Sequence, residues 1–473
     1  MRRKFIRVTQ IDMRRALRKS QRMSAQAMFG PFVPSSNRLD PITTIIAQGE
    51  QRVPTLLPIR YSRMSQSAFA FYRGSAVLMA NDLGPLPNSG LTVQLCGDAH
   101  LGNFGIFATA DRRTIFDVND FDETFPGPFE WDVQRMITSF AIAAADRSEE
   151  CQESVIRAGA ESYRTAMAAF ATSTFVDTWY FRIDEKSLKA VTKSGALSES
   201  GMAKMNKGFT AAEKRDQWSA IRKLTVEVDG QRQFVNKPPL VVRLSLAEGV
   251  KEAIGTAFER YKETLLCDRR ILLDRYHIVD FGHKVVGVGS IGLLAYIVLL
   301  QGRDANDLLV LQVKQAVESV LEPWVPKVAP QSHSKRVTDG QRNIQAATDA
   351  FLGWVDGAGG KSYYIRQLRD KKWSPDVDSF SDKDLRAYAQ ICGGALARAH
   401  ARSGNAEAIS SFIGTDTAFD EAVHNFAVSY AQQSKADYSA FLEAIAAGSI
   451  SVNNPDSMFS ELSLRTDGAF NLI

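Results

Sequence analysis

The chain has 473 residues, 45% of them hydrophobic and 23% charged, which is apolar material enough for two or three packed units of an ordinary globular protein. Its net charge of +4 is small for that length and argues against a committed nucleic-acid binder. The longest apolar run, Ile291 to Leu300, is far shorter than the roughly 20 residues of a membrane span.

Met1 to Arg22 carries nine Lys or Arg against the single Asp12. A solvated basic arm is one reading and an anionic partner the sharper one. No apolar stretch of the kind a signal peptide needs follows it. The four cysteines, Cys96, Cys151, Cys267 and Cys392, are scattered, with no pair at metal-ligand spacing, as expected of reduced, mostly buried thiols in a cytoplasmic protein. The histidines show no HExxH pattern, so a zinc enzyme has little support.

Residues 1–60 read as the basic arm and an irregular, Pro-containing lead-in. Arg63 to Leu83 reads as one helix, by apolar spacings of three and four. "LTVQLCGD" and the start of "RRTIFDVNDFDET" are short strands. From Glu130 to about Thr174 the pattern is helical and Ala-rich, residues 184–235 are polar and mixed, and "SLAEGVKEAIGTAFERYKETLL" is an amphipathic helix. Near Tyr276 the chain becomes β-branched and glycine-punctuated, with "QGRDAND" as a hairpin turn between two apolar strands. "DGQRNIQAATDAFL" is helical, "KSYYIRQLRD" a strand, and the remainder helical.

Three constellations stand out. In "VQLCGDAHLGNFGIF", Asp98 and Asn103 lie five residues apart on a tight loop with His100 between them, and Gly97, Gly102 and Gly105 permit its turns. Phosphoryl transfer needs a carboxylate to orient an acceptor hydroxyl and an oxygen donor for Mg²⁺. An Asx-rich turn is the competing reading. In "FDVNDFDET", Asp117, Asp120 and Asp122 crowd among aromatic residues, and such carboxylates repel unless a cation neutralises them. Finally "GVGSIG", with Gly287, Gly289, Ser290 and Gly292, precedes a strand bearing Lys314. That order fits a glycine-rich hairpin over phosphates with a strand lysine reaching them. A purely structural hairpin, or a dinucleotide-binding turn, competes. The latter requires a helix directly after Gly292. Asp280-Phe281-Gly282 spells a kinase metal motif but lies where a first sheet strand begins.

"GDAHLGNFG…VNDFDET" resembles the phosphotransferase-type small-molecule kinases, whose catalytic segment reads HGDxHxxN, then a strand, then IDFxD. The resemblance implies that Asp98 is catalytic and that Asn103 and Asp120 hold the metal, with Asp122 assisting. It implies ATP and Mg²⁺ as cofactors, with Lys314 and the glycines binding the nucleotide and Glu318 or Glu322 pairing with the lysine. His100, Asp117 and Arg73 are supporting candidates, and Asp132 and Arg135 of "FEWDVQR" take structural roles. The order is permuted, because the catalytic and metal loops precede the glycine loop, lysine and hinge strand. The implied fold is α+β, a circularly permuted, bilobal kinase-like fold with a small antiparallel-sheet lobe at 271–372. The large helical lobe would be split between 61–270 and 373–473. From about Arg60 onward the chain also resembles an uncharacterised bacterial family, the domain of unknown function numbered 2252, through "FYRGSA", "LCGDAHLGNFG", "FDVNDFDET", "GVGSIG", "LQVK" and "YYIRQLRD". The expected activity is ATP- and Mg²⁺-dependent phosphoryl transfer to a hydroxyl acceptor, a small molecule by analogy. Transfer of AMP to a protein, a silent nucleotide-binding pseudokinase and an NAD-type oxidoreductase are the alternatives.

Overall fold

The computed structural model of the chain describes residues 29–187, 217–238, 241–244, 248–284, 291–326, 332–368 and 376–452. The lead-in is more ordered than its composition suggests. Helix α1 (Pro41–Gly49) starts where Asp40 accepts the Thr43 N–H at 2.7 Å, with Pro41 preset at the first helical position. The helix expected over 63–83 is three pieces: α2 (Leu57–Met64), α3 (Ala68–Gly74) and α4 (Ala76–Leu83). The break has a local cause, since Ser67 is extended and caps α3 through the Ala70 N–H at 3.0 Å.

Four short strands follow, β1 (Thr92–Leu95), β2 (Phe104–Ala108), β3 (Thr114–Val118) and β4 (Phe125–Pro128). β1 pairs with β4, and β2 with β3, both antiparallel; β5 (Ile183–Asp184) adds to β3. Helices α5 (Phe129–Ala143) and α6 (Glu149–Phe170) then pack with two helices from the far end of the chain. Their common core runs from Val93 and Phe129 through Tyr163 to Leu396 and Phe426. Each such side chain contributes about 1.5–3 kcal/mol by leaving water. Where α6 crosses the later helix, Gly393 admits no larger residue, because a Cβ there would lie 2.4 Å from the Gly159 carbonyl oxygen.

The strand-rich segment forms a second unit with its own cores. The hairpin β6 (Thr225–Val228) and β7 (Gln231–Phe234) follows helix α7 (Gln217–Leu224). β8 (Val241–Arg243), helix α8 (Glu248–Glu263), β9 (His277–Lys284), β10 (Ala295–Gln301), β11 (Leu308–Ala316), helix α9 (His333–Ile344), β12 (Gly353–Asp356) and β13 (Ser362–Gln367) complete it. The sheet order is β12-β13-β11-β10-β9-β8, antiparallel throughout. Side chains alternate between two apolar layers. Tyr296, Val298, Leu311 and Ile365 meet α8 on one face; Ile297, Leu299, Val310 and Leu368 meet Ile221 and Phe234 on the other. β8 joins β9, and Phe234 enters the core of the strand unit. Helices α10 (Asp382–Ser403) and α11 (Ala418–Ala446) close the chain. The molecule is a mixed α+β protein with antiparallel sheets, and no helix among the described residues is long and apolar enough to cross a membrane.

Candidate functional site

The Asp98 loop is hung on the first turn of α5. The Asp132 carboxylate accepts the Cys96 N–H at 2.8 Å and the Gly97 N–H at 3.0 Å. His400 of α10 stands 3.3 Å from the same carboxylate, and Tyr163 hydrogen-bonds the other ring nitrogen of His400 at 2.8 Å. Gly97 alone among the loop glycines needs its freedom: φ is 85°, and a Cβ would fall 2.2 Å from the Glu123 carbonyl oxygen. Gly102 and Gly105 have no positive φ, so the expectation that all three glycines serve turns holds for one.

Asp98 Oδ1 receives the Arg135 Nε–H at 2.8 Å, while Arg135 also donates to the Tyr72 carbonyl at 2.6 Å and lies 3.6 Å over the Tyr72 ring. Arg135 therefore touches the candidate catalytic carboxylate, more than the purely structural role expected of it. Asn103 Nδ2 donates to the Asp98 carbonyl at 2.6 Å. That bond fixes the amide orientation and leaves Oδ1 as its remaining acceptor. His100 Nδ1 accepts the Gly102 N–H at 3.0 Å, which puts its proton on Nε2, 3.7 Å from Asp98 Oδ2. Burial, with the charges of Arg73 and Arg135, holds His100 well below the usual histidine range. It is a neutral brace for the loop. Arg73 packs behind it, its guanidinium 5.8 Å from the Phe69 ring centroid, and does not line the cavity described below.

The second acidic loop divides its carboxylates. Asp117 is structural: it is 1% exposed, paired with the equally buried Arg398 at 2.6 Å and bonded by the Ala346 N–H at 3.0 Å. The Asn119 N–H donates to the Asn103 carbonyl at 2.8 Å and ties the two loops together. Asp122 binds Lys314 Nζ at 2.7 Å through one oxygen and the Tyr364 hydroxyl at 2.7 Å through the other. Lys314 and Tyr364 are register partners on β11 and β13, so the sheet itself presents them together. Burial opposes the Lys314 charge, but Asp122, then Tyr364 and Asp120, outweigh it and hold the ammonium above its ordinary range.

The expected glutamate partners of Lys314 are thereby corrected. Glu318 lines the cavity, and Glu322 accepts the Ser319 N–H at 2.9 Å and faces Arg336 at 3.5 Å. Both lie past the end of β11, which carries them away from the lysine. α9 supplies Arg336, which binds the carbonyls of Thr124, Asp122 and Val317 at 2.6, 3.0 and 2.8 Å and clamps the acidic loop to the sheet. Glu123 accepts the Val320 N–H at 2.8 Å, and burial pushes its carboxyl up to about 7.

A cavity of about 570 Å³ lies between these parts, with Asp98, Asn103, Asp120, Asp122, Glu123 and Glu318 in its lining. Lys314 enters it only through its contact with Asp122. Gly287, Gly289 and Ser290 lie outside the described residues. Gly292 has φ 93°, and the strand β10, not a helix, begins three residues after it, so the dinucleotide turn lacks its helix. Asp280 accepts the Phe234 N–H at 2.6 Å and pairs with Arg243 at 3.0 Å inside the sheet, away from the cavity.

Among the described residues, no three His, Cys, Asp or Glu gather at metal-binding spacing. The implied Mg²⁺ site is of another composition, two carboxylates and one amide. Asn103, Asp120 and Asp122 all line the cavity and offer the hard oxygen donors that Mg²⁺ takes. Asp122 shares its charge with Lys314. The residues present fit a magnesium ion carried in with a phosphate ligand better than a closed protein cage.

Sequence reading missed Tyr364 and Arg336, and the lead-in residue Arg52, which lines the cavity and donates to the Ile291 carbonyl at 2.6 Å. Only Tyr364 carried a local signal, its place in the strand "YYIRQL". Fold and cleft together define a mixed α+β protein with an acid-lined cavity against an antiparallel sheet. The family described as "uncharacterized protein conserved in bacteria (DUF2252)" matches residues 52–444, and the chain belongs to it. Comparison with curated proteins and with solved structures returns no match.

Proposed function

We propose that this protein is a kinase-like phosphotransferase that uses Mg²⁺-ATP and phosphorylates a hydroxyl acceptor, on a permuted two-lobe arrangement. One observation carries the reading: the Lys314–Asp122 contact at 2.7 Å, which joins residues 192 positions apart at the edge of one cavity. Phosphotransferases of the kinase type need a strand lysine on the nucleotide phosphates and acidic metal ligands beside it. Lys314 sits on the third strand counted from β9, and a helix, α9, precedes the next strand. Both features support the same reading.

The chain's own residues then take definite roles. Lys314 exchanges part of its contact with Asp122 for phosphate oxygens. Asn103 Oδ1, Asp120 and Asp122 are the residues that would hold magnesium, which when bound neutralises phosphate charge. Arg135 fixes Asp98 through Oδ1, leaving Oδ2 to receive the proton of the acceptor hydroxyl as its oxygen bonds to the terminal phosphorus and the bond to the ADP oxygen breaks. A small acceptor suits the cavity volume. The test is intact mass spectrometry of the protein and of acceptor pools after incubation with Mg²⁺-ATP. Gain of a phosphate that Asp98→Asn abolishes supports the reading. Gain of AMP replaces it with nucleotidyl transfer, and no product with any acceptor leaves a nucleotide-binding pseudokinase.

A further inference from the structure

Basic and amide groups also line the cavity, as a wall that feels the Glu123 and Asp122 carboxylates. Arg52 and Gln48, from the end of α1 and the turn after it, line it together with Gly74. Arg52 is aimed there by two ties to the end of the glycine-rich segment: its Nη1 donates to the Ile291 carbonyl at 2.6 Å, and the neighbouring Val53 N–H donates to the Gly292 carbonyl at 2.8 Å. Its stem packs on Gly292, where an added Cβ would lie 2.9 Å from the Arg52 Cβ.

Behind this wall is Arg60, which is 0% exposed. It donates through Nη2 to Gln48 Oε1 at 2.7 Å and to the Gly74 carbonyl at 2.6 Å. Its Nε and Nη1 have no hydrogen-bond partner, and it makes no ion pair among the described residues. A buried guanidinium keeps its proton at neutral pH, and Tyr61 and Glu123 offset the burial of this one only in part, so a further anion nearby would be stabilising. Burial, and next the Arg52 charge, depress its pKa to about 9. By occupying Gln48 Oε1, Arg60 also leaves that amide with its N–H₂ end as the group Gln48 has to offer a ligand. Asp40 lines the same end of the cavity, but its carboxylate is engaged as the cap of α1.

We infer that this wall is an oxyanion subsite: Arg52, with the donor end of Gln48 beside it and the fixed charge of Arg60 behind, takes a phosphate-class group. The inference rests on the phosphotransferase reading only in naming phosphate as the anion. Two sources share that chemistry, the terminal phosphoryl of the nucleotide and a phosphate already on the acceptor.

The experiment is calorimetric titration of the full chain with inorganic phosphate and with pyrophosphate, against chloride at matched ionic strength, for wild type, Arg52→Met and Gln48→Glu. Wild type is expected to bind, and Arg52→Met to bind about tenfold to a hundredfold more weakly, the usual cost of a lost charge-assisted contact. Gln48→Glu gives Arg60 a carboxylate; it is expected to melt higher than wild type in chloride and to lose phosphate affinity. That paired change is one a merely structural Arg60 would not produce, and it decides the matter should Arg52→Met not fold. Absence of phosphate binding by wild type, or wild-type affinity in Gln48→Glu, overturns the subsite. Repetition with a non-hydrolysable ATP analogue assigns the source: competition means the nucleotide's phosphoryl, simultaneous binding means the acceptor's. Phosphate bound without any nucleotide binding leaves the subsite standing and sinks the phosphotransferase reading, whereas nucleotide bound with Arg52 and Gln48 indifferent does the reverse.

Discussion

Lys314 and Asp122 meet at 2.7 Å, the lysine 4% exposed and the aspartate 21%, with the Tyr364 hydroxyl on the second carboxylate oxygen. A charge buried to that degree is tolerated only with its partner in place. Removing the partner is therefore expected to cost more than removing both. Asp122→Asn should destabilise by about 3 kcal/mol, and Asp122→Asn combined with Lys314→Met by clearly less, measured by urea unfolding. A double-variant loss equal to the sum of the two single losses, with Lys314→Met measured alongside, would mean that the pair is not coupled.

Asp117 and Arg398 form a second buried pair, at 2.6 Å, and neither lines the cavity. Asp117→Asn should lower unfolding stability by about 3–5 kcal/mol, because Arg398 is left buried without its counter-charge. Any nucleotide affinity of the folded fraction should be unchanged. A specific loss of ligand binding at normal stability would restore Asp117 to the functional set.

His283 gives a pH signature independent of the site. Burial alone pushes its imidazole down to about 4 from an ordinary value near 6.5. Between those values the unfolded chain binds the proton and the native one does not, so stability rises with pH from about 4 to about 6.5 and is level above. The contribution is on the order of 3 kcal/mol at most, since the ring is only partly buried. His283→Phe should flatten the stability profile across that window. An unchanged slope would assign the acid sensitivity elsewhere.

The legible parts of the molecule were those with local grammar. The β10–β11 hairpin follows from β-branched strands around "QGRDAND", and the Asp98 loop from acids and amides set among glycines. Other signals were present but weak. Asp229-Gly230 turns the β6–β7 hairpin with φ of 50° and 75°, inside a stretch whose polarity suggested no sheet. Asp40-Pro41 announces α1 in a lead-in that reads as irregular. Partner choice was illegible for a physical reason. Lys314 finds Asp122 rather than the nearby Glu318 or Glu322 because the end of β11 and the grip of Arg336 on the acidic loop set who can reach it. Such contacts between residues about 200 positions apart leave no trace in spacing. Arg52 was invisible likewise, an arginine in a loop until the fold laid it beside Gly292.

Arg135 holds Asp98 at 2.8 Å and stacks 3.6 Å over Tyr72. Arg135→Lys keeps the charge but loses the planar stack and the forked donor geometry, so it should cost about 1–3 kcal/mol of stability. On the phosphotransferase reading it should lower turnover more than it weakens nucleotide binding. Steady-state kinetics beside urea unfolding would separate the two effects; a variant with normal turnover would remove Arg135 from the positioning of Asp98.

The most direct measurement is titration of Mg²⁺-ATP into wild type, Lys314→Ala and Asp98→Asn, each shown to be folded by circular dichroism. The expected result is magnesium-dependent binding by wild type, affinity reduced by about tenfold or more in Lys314→Ala, and near-wild-type affinity in Asp98→Asn. No binding by wild type, or binding indifferent to Lys314, would contradict a nucleotide shared between the early acids and the late lysine.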